Sequence, residues 1–280
     1  MRIKAMLLRL VVMAATVYVA LGVLLFFARD FLVFPGRHDA TPEPRRVGIT
    51  DGEKVSVTTA DGERLVGWYL PPRDTVGGRA GAVLWFHGNG ETIGGIGPVL
   101  REFRPPQAAL LALDYRGYGE SSGRAGIEGT QRDAEAAWAW LASRPEIDSA
   151  RIVIYGRSVG SGPALHLAAQ RPAAGLILES AFTSLRDMAR VHYPIFPSFI
   201  AGSGFDNLKT IRRVRCPILL VYGDSDQLVP FTMGRTLAER AGAGAEFHAI
   251  PGADHNDTYD SGGDAYVARV QAFITRVTAP

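Results

Sequence analysis

The sequence predicts an α/β domain built on a mostly parallel sheet and set behind one N-terminal apolar helix. Three observations carry that prediction. Short apolar runs rich in β-branched residues alternate with longer amphipathic stretches from residue 55 onward. The later runs are separated by helix-length segments, the spacing that right-handed βαβ crossovers need. A run without charge, Leu10–Ala28, precedes all of this. The 280 residues are enough to bury one large core, and no repeat, low-complexity tract or second linker divides them.

The N-terminal run, LVVMAATVYVALGVLLFFA, follows Arg2, Lys4 and Arg9. As a helix it spans roughly the ~30 Å hydrocarbon core of a bilayer. A cleaved signal peptide is the first alternative, and it needs a shorter apolar region and a small-x-small site. Cleavage after Ala20 or Ala28 would put Tyr18 or Phe26 at the −3 position, a poor fit. A buried core helix is the second alternative. An uncleaved transmembrane anchor over 1–30 fits best. Arg29, Arg37, Arg45 and Arg46 follow the run, so the positive-inside bias is nearly balanced. The short basic head still favours an inside N-terminus, with the large domain on the extracytoplasmic side.

Residues 31–50 read as a linker, because Pro35, Pro42 and Pro44 fix φ and remove donors. A catalytic-sized domain over 51–280 follows. Its strand candidates are 55–59, 65–70, 82–87, 109–114, 151–156, 175–178, 217–222 and 246–250. Asp61-Gly62 between the first two is a hairpin signal. Helix candidates are 127–144, 158–170, 232–241 and 263–277.

Composition narrows the function by exclusion. Thirty Lys+Arg against 28 Asp+Glu leave a net charge of +2, which gives no support to nucleic-acid binding. A single cysteine, Cys216, excludes an internal disulfide and any multi-cysteine metal site. No ligand cluster points to a metal or an organic cofactor.

The chemistry enters at strand–turn–helix junctions. The buried-strand run RIVIYG leads into Gly156-Arg157-Ser158-Val159-Gly160. A serine on so sharp a turn sits in a strained backbone, and side chains at the two glycines would clash. The following helix N-terminus favours developing negative charge. An ordinary glycine-rich turn is the bland reading, and the flanking strand and helix argue against it. A serine hydroxyl is a weak nucleophile that needs a base and a group to orient that base. Of six histidines, His38, His166, His192 and His248 fall in an entry segment, a helix, an irregular stretch and a strand. His87 reads as structural, under a glycine-rich loop. His255, in Gly252-Ala253-Asp254-His255-Asn256, lies past the last strand and meets the order Ser…Asp…His. The orienting carboxylate should follow strand 217–222, where Asp224 and Asp226 compete, and spacing does not separate them. Two backbone N–H groups should hold an oxyanion. One belongs to Val159 and the other to the loop His87-Gly88-Asn89-Gly90-Glu91, with Asn89 as the expected donor.

The set FHGNGE (86–91), LDYRGYGESSG (113–123), GRSVGSGPA (156–164), GDSDQLVP (223–230) and GADHND (252–257) resembles the α/β-hydrolase superfamily. It is similar to membrane-anchored serine hydrolases of the α/β-hydrolase domain type, over roughly residues 50–277. The resemblance implies an α/β-hydrolase fold, with a mostly parallel eight-stranded sheet flanked by helices. It implies Ser158 as nucleophile, His255 as base, Asn89 and Val159 as the oxyanion hole, and Asp226 as the acid through a Gly-x-x-Asp-x-x-Val-Pro pattern. Only 37 residues, Glu179 to Arg215, stand where larger members insert a lid, so any lid is small. Within it the apolar cluster Ile195, Phe196, Phe199 and Ile200 either packs on the sheet or guides an acyl chain.

The reading that follows is hydrolysis of a small-molecule acyl ester or thioester through an acyl-serine, with no cofactor. A serine peptidase of related fold and a catalytically silent hydrolase-like binding protein are the alternatives.

Overall fold

Long apolar runs with helices between them fold into one sheet whose strand order reverses near its middle. The computed structural model describes residues 2–74, 78–242 and 244–279. In chain order the elements are α1 (Arg2–Val33), β1 (Glu53–Thr58), β2 (Arg64–Leu70), β3 (Ala80–Phe86), α2 (Gly97–Phe103), β4 (Ala108–Leu113), α3 (Ile127–Ala142), β5 (Ile147–Arg157), α4 (Ser161–Ala168), β6 (Gly175–Glu179), α5 (Leu185–His192), α6 (Asn207–Thr210), β7 (Ile218–Gly223), α7 (Phe231–Ala241), β8 (Ala245–Ile250) and α8 (Thr258–Val277). The sheet order is β1-β2-β4-β3-β5-β6-β7-β8. β2 is antiparallel to both β1 and β4, and every other pair is parallel.

The residue types explain the layering. β3, β4, β6 and β7 are buried along their whole lengths, as expected of parallel strands covered on both faces. Their alternate side chains feed two cores. One contains Leu84, Phe86, Ile154 and Leu178, and the other Trp85, Tyr155, Ile177 and Val221. Trp85 stacks on Tyr155 across β3 and β5, with ring centroids 3.6 Å apart.

Several boundaries depart from the sequence expectation for local reasons. The apolar helix extends to Val33 and stops before Pro35, whose ring disfavours helix in the preceding residue. Phe34 then turns into the core against Tyr115 and Phe205. The proline-rich stretch is not extended throughout, since Pro44–Val47 forms a 3-10 turn. The single helix expected over 158–170 divides into a 3-10 turn, Ser158–Gly160, and α4. α8 starts five residues before the expected Gly263, where φ of +50° breaks the helix. α2, α5 and α6 lie outside the helix candidates of the sequence. The stretch between β6 and β7 carries α5, a 3-10 turn at Ser198–Ala201 and α6, so the cover over the sheet is small.

Candidate active site

β5 ends in a turn that only small flanking residues allow. Ser158 has φ of +52°, a left-handed conformation that costs a side-chain-bearing residue energy. A Cβ at Gly160 would lie 2.3 Å from the Phe86 carbonyl oxygen, and one at Gly156 would lie 2.6 Å from the Gly160 carbonyl oxygen. Both obstacles are backbone and cannot swing away. The turn therefore holds Ser158 at the carboxyl end of β5, where its side chain projects from the sheet.

Three side chains from separate loops meet there. Ser158 Oγ lies 3.0 Å from His255 Nε2, and His255 Nδ1 lies 2.8 Å from Asp226 Oδ2. All three are buried, at 7%, 4% and 8% exposure, and of the three Ser158 lines a cavity. Asp226 Oδ1 accepts the backbone N–H groups of Leu228 and Val229, at 2.9 and 2.7 Å, which fixes the carboxylate's angle. A carboxylate at Nδ1 sets the imidazole tautomer: Nδ1 carries the proton and Nε2 is free to accept one. Such an arrangement can take the proton of the Ser158 hydroxyl as that oxygen attacks an electrophile.

Asp224 faces away from this trio. Its Oδ1 accepts the Gly252 N–H at 2.7 Å, pinning the loop after β7 to the turn after β8. Asp254 adds a second tie, with its Oδ1 accepting from the backbone of Gln227 and His255, each at 2.7 Å. The other histidines stand elsewhere. His166 pairs with Glu135, His248 stacks on Tyr266, His38 is exposed, and His87 is buried with Nδ1 donating to the Gly88 carbonyl. His192 bonds the Leu228 carbonyl.

Asn89 and Val159 line the same cavity as Ser158, which has a volume of about 470 Å³. The loop bearing Asn89 is braced by Tyr118, whose hydroxyl donates to the Asn89 carbonyl at 2.9 Å, and by Arg37, which donates to the Gly90 carbonyl. A larger polar cleft of about 890 Å³ lies beside α3 and α4, and none of Ser158, Asp226 and His255 lines it.

One group essential to this geometry went unrecognised in the sequence. Arg157, between Gly156 and Ser158, is buried and donates in three directions: to Glu91 Oε1 at 2.5 Å, to the His255 carbonyl at 2.6 Å, and to Glu179 Oε1 at 3.3 Å. Burial opposes its charge, but Glu179 and Glu91 outweigh that and hold the guanidinium above its ordinary pKa. Glu91 in turn accepts the Gly88 N–H at 2.7 Å. Arg157 thus ties the Asn89 loop, the His255 loop and β6 together. Glu179 is further held by the Tyr155 hydroxyl at 2.6 Å, and burial and Glu179 push that phenol's pKa well up, so it stays a donor. The available signal was a charge at the end of two otherwise uncharged strand runs, IVIYGR and GLILE.

Comparison with known proteins fits this architecture. The sequence model of the serine aminopeptidase S33 family matches residues 78–206. An uncharacterized protein of Mycobacterium tuberculosis is 35% identical over 269 residues, covering 94% of each chain. The α/β-hydrolase domain-containing protein WAV2 of Arabidopsis thaliana is 32% identical over 255 residues, covering 84% of this chain and 82% of its own. Among solved structures, an esterase of Pyrococcus furiosus superposes with a TM-score of 0.71 at 21% identity, covering 87% of this chain and 97% of its own.

Proposed function

The chain belongs to the α/β-hydrolase family, and from that premise we propose that it is a serine hydrolase cleaving acyl esters or thioesters of small molecules through an acyl-serine intermediate. Ser158 Oγ attacks the acyl carbonyl while His255 Nε2 takes its proton. The imidazolium, steadied by Asp226, then protonates the leaving alcohol or thiol. The N–H groups of Asn89 and Val159 receive the oxyanion of each tetrahedral intermediate. Water, deprotonated by the same imidazole, releases the acid and restores the serine. This chemistry calls on no cofactor.

The observation that carries the reading is the cavity over Ser158, whose lining is mostly apolar: Phe182, Leu185, Met188, Phe196, Ile200 and Val229 among others. Such a lining suits an acyl chain. The aminopeptidase reading in the matched family's description asks for a carboxylate facing the serine to bind a free amino group. Among the lining residues the carboxylate is Asp30, already 3.8 Å from Arg29. The acyl reading is therefore the stronger.

α1 is long and apolar enough to cross a membrane. We assign 1–30 to a single-pass anchor, 31–50 to a connector and 51–280 to the catalytic domain. The basic head Arg2, Lys4 and Arg9 favours the extracytoplasmic side for that domain, against a nearly balanced set of arginines after the span.

The test is fluorophosphonate labelling of the full-length protein, alongside turnover of a panel of esters, thioesters and aminoacyl amides. Ser158→Ala should abolish labelling and cost at least about 10⁴ in kcat. Most activity surviving in Ser158→Ala, or a preference for aminoacyl amides, would overturn the assignment.

A further inference from the structure

A helix that served only as a tether would present the same face to solvent all round. α1 does not. Tyr18, Gly22, Leu25, Arg29 and Val33 recur at spacings of three and four and so share one helical face. Along that face the Tyr18 hydroxyl donates to the Ile195 carbonyl at 2.8 Å, and its ring stacks on Phe196 with centroids 5.1 Å apart. At Gly22 an added Cβ would already touch Ile200, at 3.6 Å, and Phe196, at 3.8 Å. Leu25, one turn further on, and Leu32 and Val33, about three turns on, line the cavity that contains Ser158. Leu24, on the other side of the helix, is 62% exposed.

The cover segment lies beside the apolar part of α1, not on the sheet. Tyr18 sits roughly 15 Å up the helix from Ala28 at the ordinary rise per residue, about half the ~30 Å hydrocarbon thickness. Phe196 stacks at that level. Its neighbours Ile195 and Phe199 are exposed, at 72% and 64%, as are Leu24 and Phe27 of α1, at 62% and 78%. Exposed large side chains in that position are suited to hydrocarbon rather than water.

Resting on the hydrolase reading above, we infer that α1 is a wall of the acyl-binding site as well as an anchor. The acyl chain of a membrane-embedded ester or thioester passes sideways from the bilayer between α1 and residues 193–201. Leu25 and Val33 then set the length of chain that Ser158 can accept. The occupant is an acyl chain because the seam joins a membrane-level apolar surface to the serine without interruption by an unpaired charge.

The test uses the full-length protein in lipid nanodiscs, with p-nitrophenyl butanoate and p-nitrophenyl decanoate as probes. The quantity read is the ratio of kcat/KM for the longer ester to that for the shorter. Leu25→Trp and Val33→Trp should lower this ratio at least tenfold by filling the wall, and Leu25→Ala and Val33→Ala should raise it several-fold. Leu24→Trp, facing away from the cavity, should leave both rates unchanged. If the tryptophan variants fail to fold, the alanine pair decides the matter. Ser158-dependent butanoate hydrolysis with a ratio within twofold of wild type in every variant would overturn this inference alone. No Ser158-dependent hydrolysis of either ester would overturn the hydrolase reading, and this inference with it.

Discussion

Arg157→Met is the most informative single change, because it leaves the three residues Ser158, His255 and Asp226 intact. The substitution keeps an unbranched apolar stem while removing a buried cation held by two carboxylates. Removing one partner of a buried ion pair costs about 3–5 kcal/mol, since the remaining charge is stranded. Here the loss should fall near the low end. Glu91 is 22% exposed and can recruit water, and Glu179 keeps the Tyr155 and Thr258 hydroxyls as donors. For a chain of this size about 3 kcal/mol corresponds to a fall in Tm of roughly 6–12 °C. The catalytic loss has a different origin. Arg157 holds the His255 carbonyl at 2.6 Å and, through Glu91, the loop bearing Asn89. A misplacement of about 1 Å in a catalytic group can cost ~10² in rate, so kcat should fall about 100-fold with little change in KM. Adding Glu179→Gln removes the stranded charge and should recover part of the lost Tm. It cannot restore the tie to His255, so kcat should stay low. Thermal melts and ester turnover on the three proteins separate the two effects. An Arg157→Met protein within 1 °C and twofold of wild type, or a double variant that regained its kcat, would refute the argument.

Two further outcomes follow from the same geometry. Asp226→Asn should cost about 10³–10⁴ in kcat, because an amide at Nδ1 favours the wrong tautomer; Asp224→Asn, which loosens a loop tie to Gly252, should cost far less, and the reverse ranking in steady-state assays would rule out Asp226 as the orienting acid. Asp51 is part-buried, which works to raise its pKa, but Arg73 and Arg104 outweigh burial and hold its carboxyl down at about 2. Its folded pKa lies below the ordinary value, so its contribution is fully present above about pH 4 and fades as pH falls toward 2; screening leaves about 1–2 kcal/mol. Denaturant melts of wild type and Asp51→Asn should differ by that amount at pH 7 and converge near pH 2, and a gap that stayed constant with pH would show that the pairing is not responsible.

The central strands were legible because burial on both faces demands uninterrupted apolar runs. The half-exposed edge strands β1 and β8 were legible from shorter β-branched or aromatic runs, and all eight lie within a few residues of where those runs fall. The short elements were not. α2 is seven residues with a proline in its first turn, and α5, LRDMARVH, is dominated by charge. Each spans about two turns, too few for a period to stand out, although Ser184 before α5 is an N-cap signal whose hydroxyl accepts the Asp187 N–H. The serine turn was legible because its motif, Gly156 to Gly160, is five consecutive residues set directly between a strand run and a helix. The choice between Asp224 and Asp226 was not local. Both precede the same return of the chain, and which one faces His255 depends on Asp224 being taken by the Gly252 N–H. The Arg157 network was invisible for the same reason, since its partners Glu91 and His255 lie 66 and 98 residues away.

The helix α1 marks the deepest limit. In the sequence a run that is apolar on every side carries no periodic signal, so nothing in Leu10–Ala28 distinguishes a face that meets protein from one that meets lipid. The distinction comes from the partner. Phe196 and Ile200 select the side bearing Tyr18 and Gly22, and with it Leu25 and Val33 two turns later. This is why the apolar cluster at 195–200, ambiguous as a string, divides in space: Phe196 and Ile200 turn toward α1 and the cavity, while Ile195 and Phe199 turn outward. It also bears on how the anchor should be probed. A chain cut after residue 30 would lose Leu25 together with the proposed membrane anchor, so a fall in its rate on bilayer-borne esters would follow from either loss. Substitutions on one face of α1 keep the tether and change only the wall, and only they separate anchoring from recognition.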